Sequence, residues 1–267
     1  GYAAALELGK RGADLTLVMR NPEKAEQTVA DLQRETGNKR IRYELADLSL
    51  MADVDDLVRR LRRRGKGIDV LVNNAGALFN PRGVTAEGLE QSYALLLLSP
   101  YRLTEGLKPL LMKAAAPRII NVVSGGMYTQ KLEVDALLNE DGDDYSGSVA
   151  YAREKRALMV LTEEWARDWS DEGIVVNAMH PGWADTPGVQ TALPEFRSVM
   201  RTVLRSSQEG ADTIVWLAVA TEAGEVSGKL FLDREARSTH LLARTRESAE
   251  ERRKLLDFLS LQERAAA

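Results

Sequence analysis

The 267-residue chain has no cysteine and only two histidines, His180 and His240. The first absence excludes disulfides, thiolate catalysis and cysteine metal sites; the second argues against a histidine-rich metal centre, so no metal is assigned. Redox chemistry therefore fixes no compartment. No apolar run reaches membrane-spanning length, and the first residues lack the basic-then-apolar pattern of a signal peptide. A strong excess of charge of one sign is missing too. The 36 Lys and Arg stand against 40 Asp and Glu, a formal net charge of −4. Spread along the chain, these charges leave neither a nucleic-acid footprint nor a polybasic membrane anchor. A soluble, cytoplasmic protein without nucleic-acid or membrane partners is the expectation.

What is present is apolar substance, 44% of residues. That is enough to bury a substantial core, and the length suits one α/β domain, residues 1–267. Short β-branched and leucine-rich runs at Leu15–Met19, Ile41–Leu45, Ile68–Asn73, Arg118–Ser124, Ile174–His180 and Lys229–Leu232 read as strands. The intervening segments are long enough for crossover helices. Strands apolar on both sides, joined this way, predict a parallel sheet covered on both faces, a doubly wound α/β architecture. The run Glu247–Glu263, with Leu255, Leu256 and Leu259 at helical spacing among charges, reads as a solvated amphipathic C-terminal helix.

In such a sheet ligands bind beyond the carboxyl ends of the strands. There the chain places Asn73-Asn74-Ala75-Gly76, then Ser124-Gly125-Gly126, then His180-Pro181-Gly182-Trp183-Ala184-Asp185-Thr186. A further pair, Tyr151 and Lys155, stands four residues apart on a long helical pattern, hence on one face. An unperturbed tyrosine, with a pKa of about 10, is a poor proton donor and acceptor near neutrality. A neighbouring ammonium favours the phenolate and would lower that pKa. The spacing alone does not separate this pair from two ordinary helix residues.

The ordered set, "NNAG", a strand-end serine, Tyr-x-x-x-Lys and "HPGWADT", resembles the short-chain dehydrogenase/reductase family over nearly the whole chain. "VSGGM", "EGADT", "SGKLFLDR" and "STHL" resemble one subgroup of it and that subgroup's bacterial relatives. The resemblance implies a Rossmann-type sheet, a nicotinamide cofactor and hydride transfer to or from a carbonyl or alcohol. Tyr151 is then the general acid/base. Lys155 tunes it and bonds the nicotinamide ribose, while Ser124 orients the substrate oxygen. Asp47 and Leu48 would contact the adenine, and Asn74, Ala75 and Gly76 the adenosine side. Pro181, Gly182, Trp183 and Thr186 would hold the nicotinamide amide and phosphates, and Gly1 fits the last glycine of the family's phosphate loop. Asp47 or Ser49 reads equally as a helix cap, and His180 as a strand-end residue without chemistry.

Cofactor preference has a physical handle. Where an acid would bond the ribose hydroxyls of NAD, this chain has Met19, Arg20 and Asn21. A guanidinium at Arg20 matches a 2′-phosphate, so NADP(H) is expected over NAD(H).

Two departures stand out. The family opens with a strand and glycine loop that precede Gly1, and that strand is central, between Leu15–Met19 and Ile68–Asn73. The expectation is that the first strand is missing because this sequence is a piece of a longer coding sequence, and that as it stands it folds poorly. Leu96 also occupies the place of the family's helix asparagine, with Ser99 in the glycine place, which implies a slower proton relay. Met127, Tyr128, Trp183 and the segment Pro187–Leu204 suggest a hydrophobic carbonyl or alcohol substrate. A homodimer through the helices carrying Leu96 and Tyr151 would be ordinary for the family. The alternative is a catalytically weak or inactive dinucleotide-binding protein or fragment with the same fold.

Overall fold

The computed structural model describes residues 1–139, 144–182 and 205–264, with side chains through Gln262. In chain order the main elements are α1 (Tyr2–Lys10), β1 (Leu15–Met19), α2 (Pro22–Thr36), β2 (Ile41–Leu45), α3 (Met51–Arg64) and β3 (Val70–Asn73). Then come α4 (Gln91–Tyr93), α5 (Ser99–Leu111), β4 (Arg118–Val122), α6 (Gly147–Asp168), β5 (Val175–Met179), α7 (Ser207–Val219), β6 (Leu230–Leu232), β7 (Glu235–Arg237) and α8 (Ala249–Arg264). Local chemistry sets several starts. Asn21 caps α2, accepting from Lys24 N at 2.8 Å, with Pro22 in the first turn. Ser206 and Glu209 form a reciprocal capping box on α7.

The strands pair in parallel as β1 with β2 and as β3-β4-β5-β6, with β7 added antiparallel at the edge. Among the described residues no ladder joins β1 to β3. Side-chain alternation along the strands feeds two cores. Ile119, Val176, Ala178 and Leu230 face α3, α5 and α6 in one cluster, while Ile120, Met179 and Phe231 face α1 and α7 in the other. This is the doubly wound sheet the strand pattern predicts. The β1 and β2 limits match the sequence reading. β4 stops at Val122, two residues short of the expected Ser124, and the antiparallel β7, three exposed residues with a lone alanine between charges, gave no apolar signal.

Two features frame the site. Between α4 and α5 the backbone makes a π turn over Ala94–Leu98, with Leu96 fully buried in it; such turns open the helical ladder by one residue. The other is α8, which lies across the helices of the larger core. Leu255 and Leu259 are fully buried in that core, and the Phe258 ring centroid is 5.9 Å from that of Tyr93. Arg102 donates to Gln262 O at 2.9 Å. The C-terminal helix is amphipathic as expected, and its apolar stripe is spent inside the chain.

Candidate active site

The floor of the site is a buried amide network. Asn73, at the end of β3, donates to Thr104 Oγ1 at 3.0 Å and to Asn121 Oδ1 at 2.8 Å, and Asn121 donates to Thr162 Oγ1 at 2.9 Å. These bonds tie β3 and β4 to α5 and α6, so Asn74, Ala75 and Gly76 leave the sheet from a fixed frame. Asn74 turns toward the start of α1, where a Cβ on Gly1 would come within 2.9 Å of its Nδ2. Gly1 is the cap of α1, and among the described residues no side-chain cap bond serves the start of that helix, a place whose N–H groups suit an anion. A Cβ on Gly76 would meet Leu96 Cδ2 at 3.2 Å and Lys155 Nζ at 3.8 Å. Gly76, Leu96 and Lys155 therefore converge.

Because β4 ends at Val122, Ser124 stands free at the carboxyl edge and caps a 3₁₀ turn, Gly125–Thr129, accepting from Gly126 N at 3.3 Å. Its hydroxyl is also near enough to Tyr151 to favour the phenolate. Tyr151 and Lys155 occupy successive turns of α6, with Lys155 Nζ 5.7 Å from the Tyr151 ring centroid. Lys155 Nζ donates to Val122 O at 2.7 Å. The structure thus brings Ser124, Tyr151 and Lys155 together. Burial pushes the Lys155 ammonium down to about 8, with nearby Glu154 pulling the other way. Burial also raises Tyr151 above its ordinary value, opposed by the nearby Ser124 hydroxyl. The expected lowering of the tyrosine pKa is therefore corrected: desolvation of the phenolate is the larger cause, and the opposing one is Ser124 rather than the lysine.

Among the residues expected to meet the adenosine, Arg20 extends into solvent from the end of β1, its NH1 4.0 Å from Asp47 Oδ2. Asp47 accepts from Ser49 N at 2.9 Å and from Ser49 Oγ at 2.7 Å, and Leu48 packs against the core. Neither Asp47 nor Ser49 caps α3, contrary to the helix-cap reading. Leu50 is the cap residue, and Glu87 from a distant loop accepts from Met51 N at 2.6 Å and Ala52 N at 2.8 Å. A carboxylate 36 residues away in sequence gives no local signal, whereas Asp47 and Ser49 stand next to the helix start.

After β5, Gly182 adopts φ 69°, and a Cβ there would lie 2.9 Å from Arg205 Nε. Only glycine meets both conditions without strain. Arg205 forks onto Asp233 in the β6–β7 turn, a pair the sequence did not suggest. Pro181 lies beside this contact; Trp183, Thr186 and the segment 187–204 lie outside the described residues. His180 is buried, accepts weakly from Gly182 N at 3.4 Å and meets the Tyr128 ring edge-on.

A doubly wound sheet with a serine, a tyrosine and a lysine gathered at its carboxyl edge is the arrangement of a nicotinamide-dependent dehydrogenase or reductase. The chain belongs to the short-chain dehydrogenase/reductase family, and a family model described as Enoyl-(Acyl carrier protein) reductase matches residues 1–231. It is 43% identical over 261 residues to Dehydrogenase/reductase SDR family member 12 of Bos taurus, covering 97% of this chain and 81% of that one. To Retinol dehydrogenase 13 of Mus musculus it is 33% identical over 239 residues, covering 86% and 71%. Among solved structures, the promiscuous reductase LugOII is similar with a TM-score of 0.67 at 28% identity, covering 86% of this chain and 90% of that one. The family, its oxidoreductase chemistry on CH–OH and carbonyl groups, and its use of a nicotinamide cofactor therefore apply to this chain. Among the described residues no helix is long and apolar enough to cross a membrane.

Proposed function

We propose that this protein is an NADP(H)-dependent reductase or dehydrogenase for a small to medium, hydrophobic carbonyl or alcohol. The observation that carries the reading is the convergence of Ser124, Tyr151 and the buried Lys155. In this reading Gly1, Asn74, Ala75 and Gly76 hold the cofactor with Asp47, Leu48, Arg20, Lys155, Pro181, Gly182, Trp183 and Thr186. The uncapped start of α1 beside Asn74 fits the pyrophosphate, and the exposed Arg20 guanidinium fits a 2′-phosphate. When bound, the nicotinamide supplies or accepts the hydride.

Ser124 orients the substrate oxygen toward Tyr151. In reduction Tyr151 donates its proton to that oxygen; in oxidation the phenolate takes one back. The raised pKa keeps the hydroxyl protonated at neutral pH, ready to donate. Lys155 and Ser124 then stabilise the phenolate that is left, the ammonium by its field and the hydroxyl by a hydrogen bond. Buried Leu96 beneath Gly76 offers no donor or acceptor, so proton supply to Lys155 along α4 and α5 is slow. The half-buried Tyr128, on the turn that Ser124 opens, favours an apolar substrate, whereas Met127 is taken up by the core.

With α8 laid against Tyr93, Arg102 and α6, that helix takes up surface on the helices carrying Leu96 and Tyr151, and a monomer in the cytoplasm is the form proposed. The test is a fluorescence titration with NADPH and NADH beside Tyr151→Phe, with circular-dichroism melts of both proteins. Saturable binding that favours NADPH supports the reading. A cooperatively folded chain that binds neither nucleotide defeats it, in favour of an inactive protein of the same fold.

A further inference from the structure

One residue beyond the catalytic lysine, α6 carries a cation with no catalytic assignment. Arg156 is 0% exposed and gives its hydrogen bonds to three backbone carbonyls: Met127 O at 3.1 Å, Gln130 O at 3.2 Å and Thr239 O at 2.9 Å. A buried guanidinium satisfied by carbonyls works as a bracket, since its planar fork dictates where the carbonyls sit.

The carbonyls are informative. Met127 lies within the 3₁₀ turn that Ser124 opens and Gln130 is that turn's C-cap, so the turn is gripped at its start by the Ser124 hydroxyl on Gly126 N and at its end by Arg156. It also lies flat on α6, where a Cβ on Gly126 would be 3.7 Å from the Ala152 Cβ. Ala152 and Arg156 are four residues apart, as are Tyr151 and Lys155, so two neighbouring ridges of one helix hold the serine turn and the acid/base pair. The third carbonyl belongs to the segment after β7. Tyr128, on the serine turn, donates to Ser238 O at 2.9 Å, beside the Thr239 carbonyl that Arg156 takes. That segment returns to α6 through His240, whose Nε2 lies 3.3 Å from Glu247 Oε2, and through Arg252, which bridges Glu247 to Glu163 and Glu164.

We infer that Arg156 is a positioning residue for Ser124: its guanidinium brackets the turn that the serine opens, and the Ser238–His240 segment outside it, onto the helix that carries Tyr151 and Lys155. The inference rests on the reading of Ser124 as the group that orients substrate. Arg156 touches neither substrate nor cofactor in this account and acts through the distance between Ser124 and Tyr151.

The test uses the full chain as wild type, Arg156→Lys, Tyr128→Phe, Ser124→Ala and the Arg156→Lys/Ser124→Ala double variant. Lysine keeps the charge but cannot reproduce a planar fork on three carbonyls. Tyr128→Phe cuts only the exposed half of the same tie and protects the test should Arg156→Lys fail to melt cooperatively. Amide hydrogen exchange is expected to quicken in Arg156→Lys at 126–130 and 238–240 while the 41–64 region stays as in wild type. With NADPH and 9,10-phenanthrenequinone as the probe, kcat falls about 10- to 100-fold, the range a small misplacement costs, and the NADPH Kd stays within about twofold of wild type. In the Ser124→Ala background the same substitution has no further effect, because the group it positions is gone. Tyr128→Phe follows the same pattern with a smaller loss.

Equal losses in both backgrounds, or unchanged exchange at 126–130, would overturn the assignment. If wild type and Tyr151→Phe are alike inert toward the quinone, the reading of Ser124 and Tyr151 fails for that substrate, and the exchange measurement alone supports or overturns the bracket.

Discussion

Lys155 points its ammonium at Val122 O, 2.7 Å away, and stands 5.7 Å from the centroid of the Tyr151 ring. In the proposed mechanism the lysine serves the tyrosine through its charge, and that charge depends on pH in a range where enzymes are assayed.

Burial holds Lys155 at about 8 instead of 10.5. The ammonium is present below that pH and lost above it, so kcat/KM for carbonyl reduction should fall as pH rises through about 8. Lys155→Arg, which stays charged, should carry activity to higher pH. Stability runs the other way: between about 8 and 10.5 the unfolded chain binds the proton that the folded chain has lost, so this lysine's contribution to stability rises with pH there. Denaturant melts of wild type against Lys155→Met across that window measure the difference; one that does not change with pH contradicts the assignment.

Tyr151→Phe removes the proton donor and leaves the ring. Turnover should drop by about 10²- to 10⁴-fold, the usual worth of general acid/base catalysis, with NADPH affinity little changed. Steady-state rates and a fluorescence titration on the same preparation check both halves, and a variant with near-normal kcat removes Tyr151 from the mechanism.

Arg20→Glu should weaken NADPH binding by roughly 10- to 100-fold, in line with about 1.5–3 kcal/mol for a charge-assisted hydrogen bond, and leave NADH almost untouched. Since Arg20 is solvent-exposed, the proposed preference for NADPH should also shrink with added salt. Equal effects on both nucleotides would assign Arg20 no part in the preference.

Leu96→Asn trades a fully buried leucine for an amide beside Gly76 and Lys155. Losing the apolar side chain should cost about 2–5 kcal/mol, as buried leucine truncations do, visible as a lower Tm. If proton supply limits wild-type turnover, kcat should nonetheless rise and the solvent deuterium isotope effect shrink. A destabilised variant with unchanged kcat would show that Leu96 does not gate the proton.

Leu259→Glu puts a charge into the seam between α8 and the core, where Leu259 is fully buried. Wild type should sediment as a monomer. The variant should lose α8 docking and self-associate through the uncovered apolar surface. A wild-type dimer in sedimentation velocity would overturn the monomer proposal.

Much of the fold was legible because it rests on local pattern. Leu15–Met19 and Ile41–Leu45 are strands within the limits their apolar runs predict, and Tyr151 and Lys155 share a helix face because a period of 3.6 residues leaves no alternative. The misses share a different cause. Glu87 at the start of α3 and Arg205 on Asp233 join residues far apart in sequence, and composition carries no trace of such pairs. Polar β7 is a strand only because β6 offers it an edge.

The sequence by itself determined the element order, the parallel crossover topology and the residue types at the carboxyl edge, since propensity, periodicity and turn chemistry act over a few neighbouring residues. The tertiary structure alone decided how wet each of those residues is. Desolvation raises Tyr151, lowers Lys155 and leaves Arg156 to bracket three carbonyls, and it depends on every chain segment that packs nearby, which no short stretch of sequence contains.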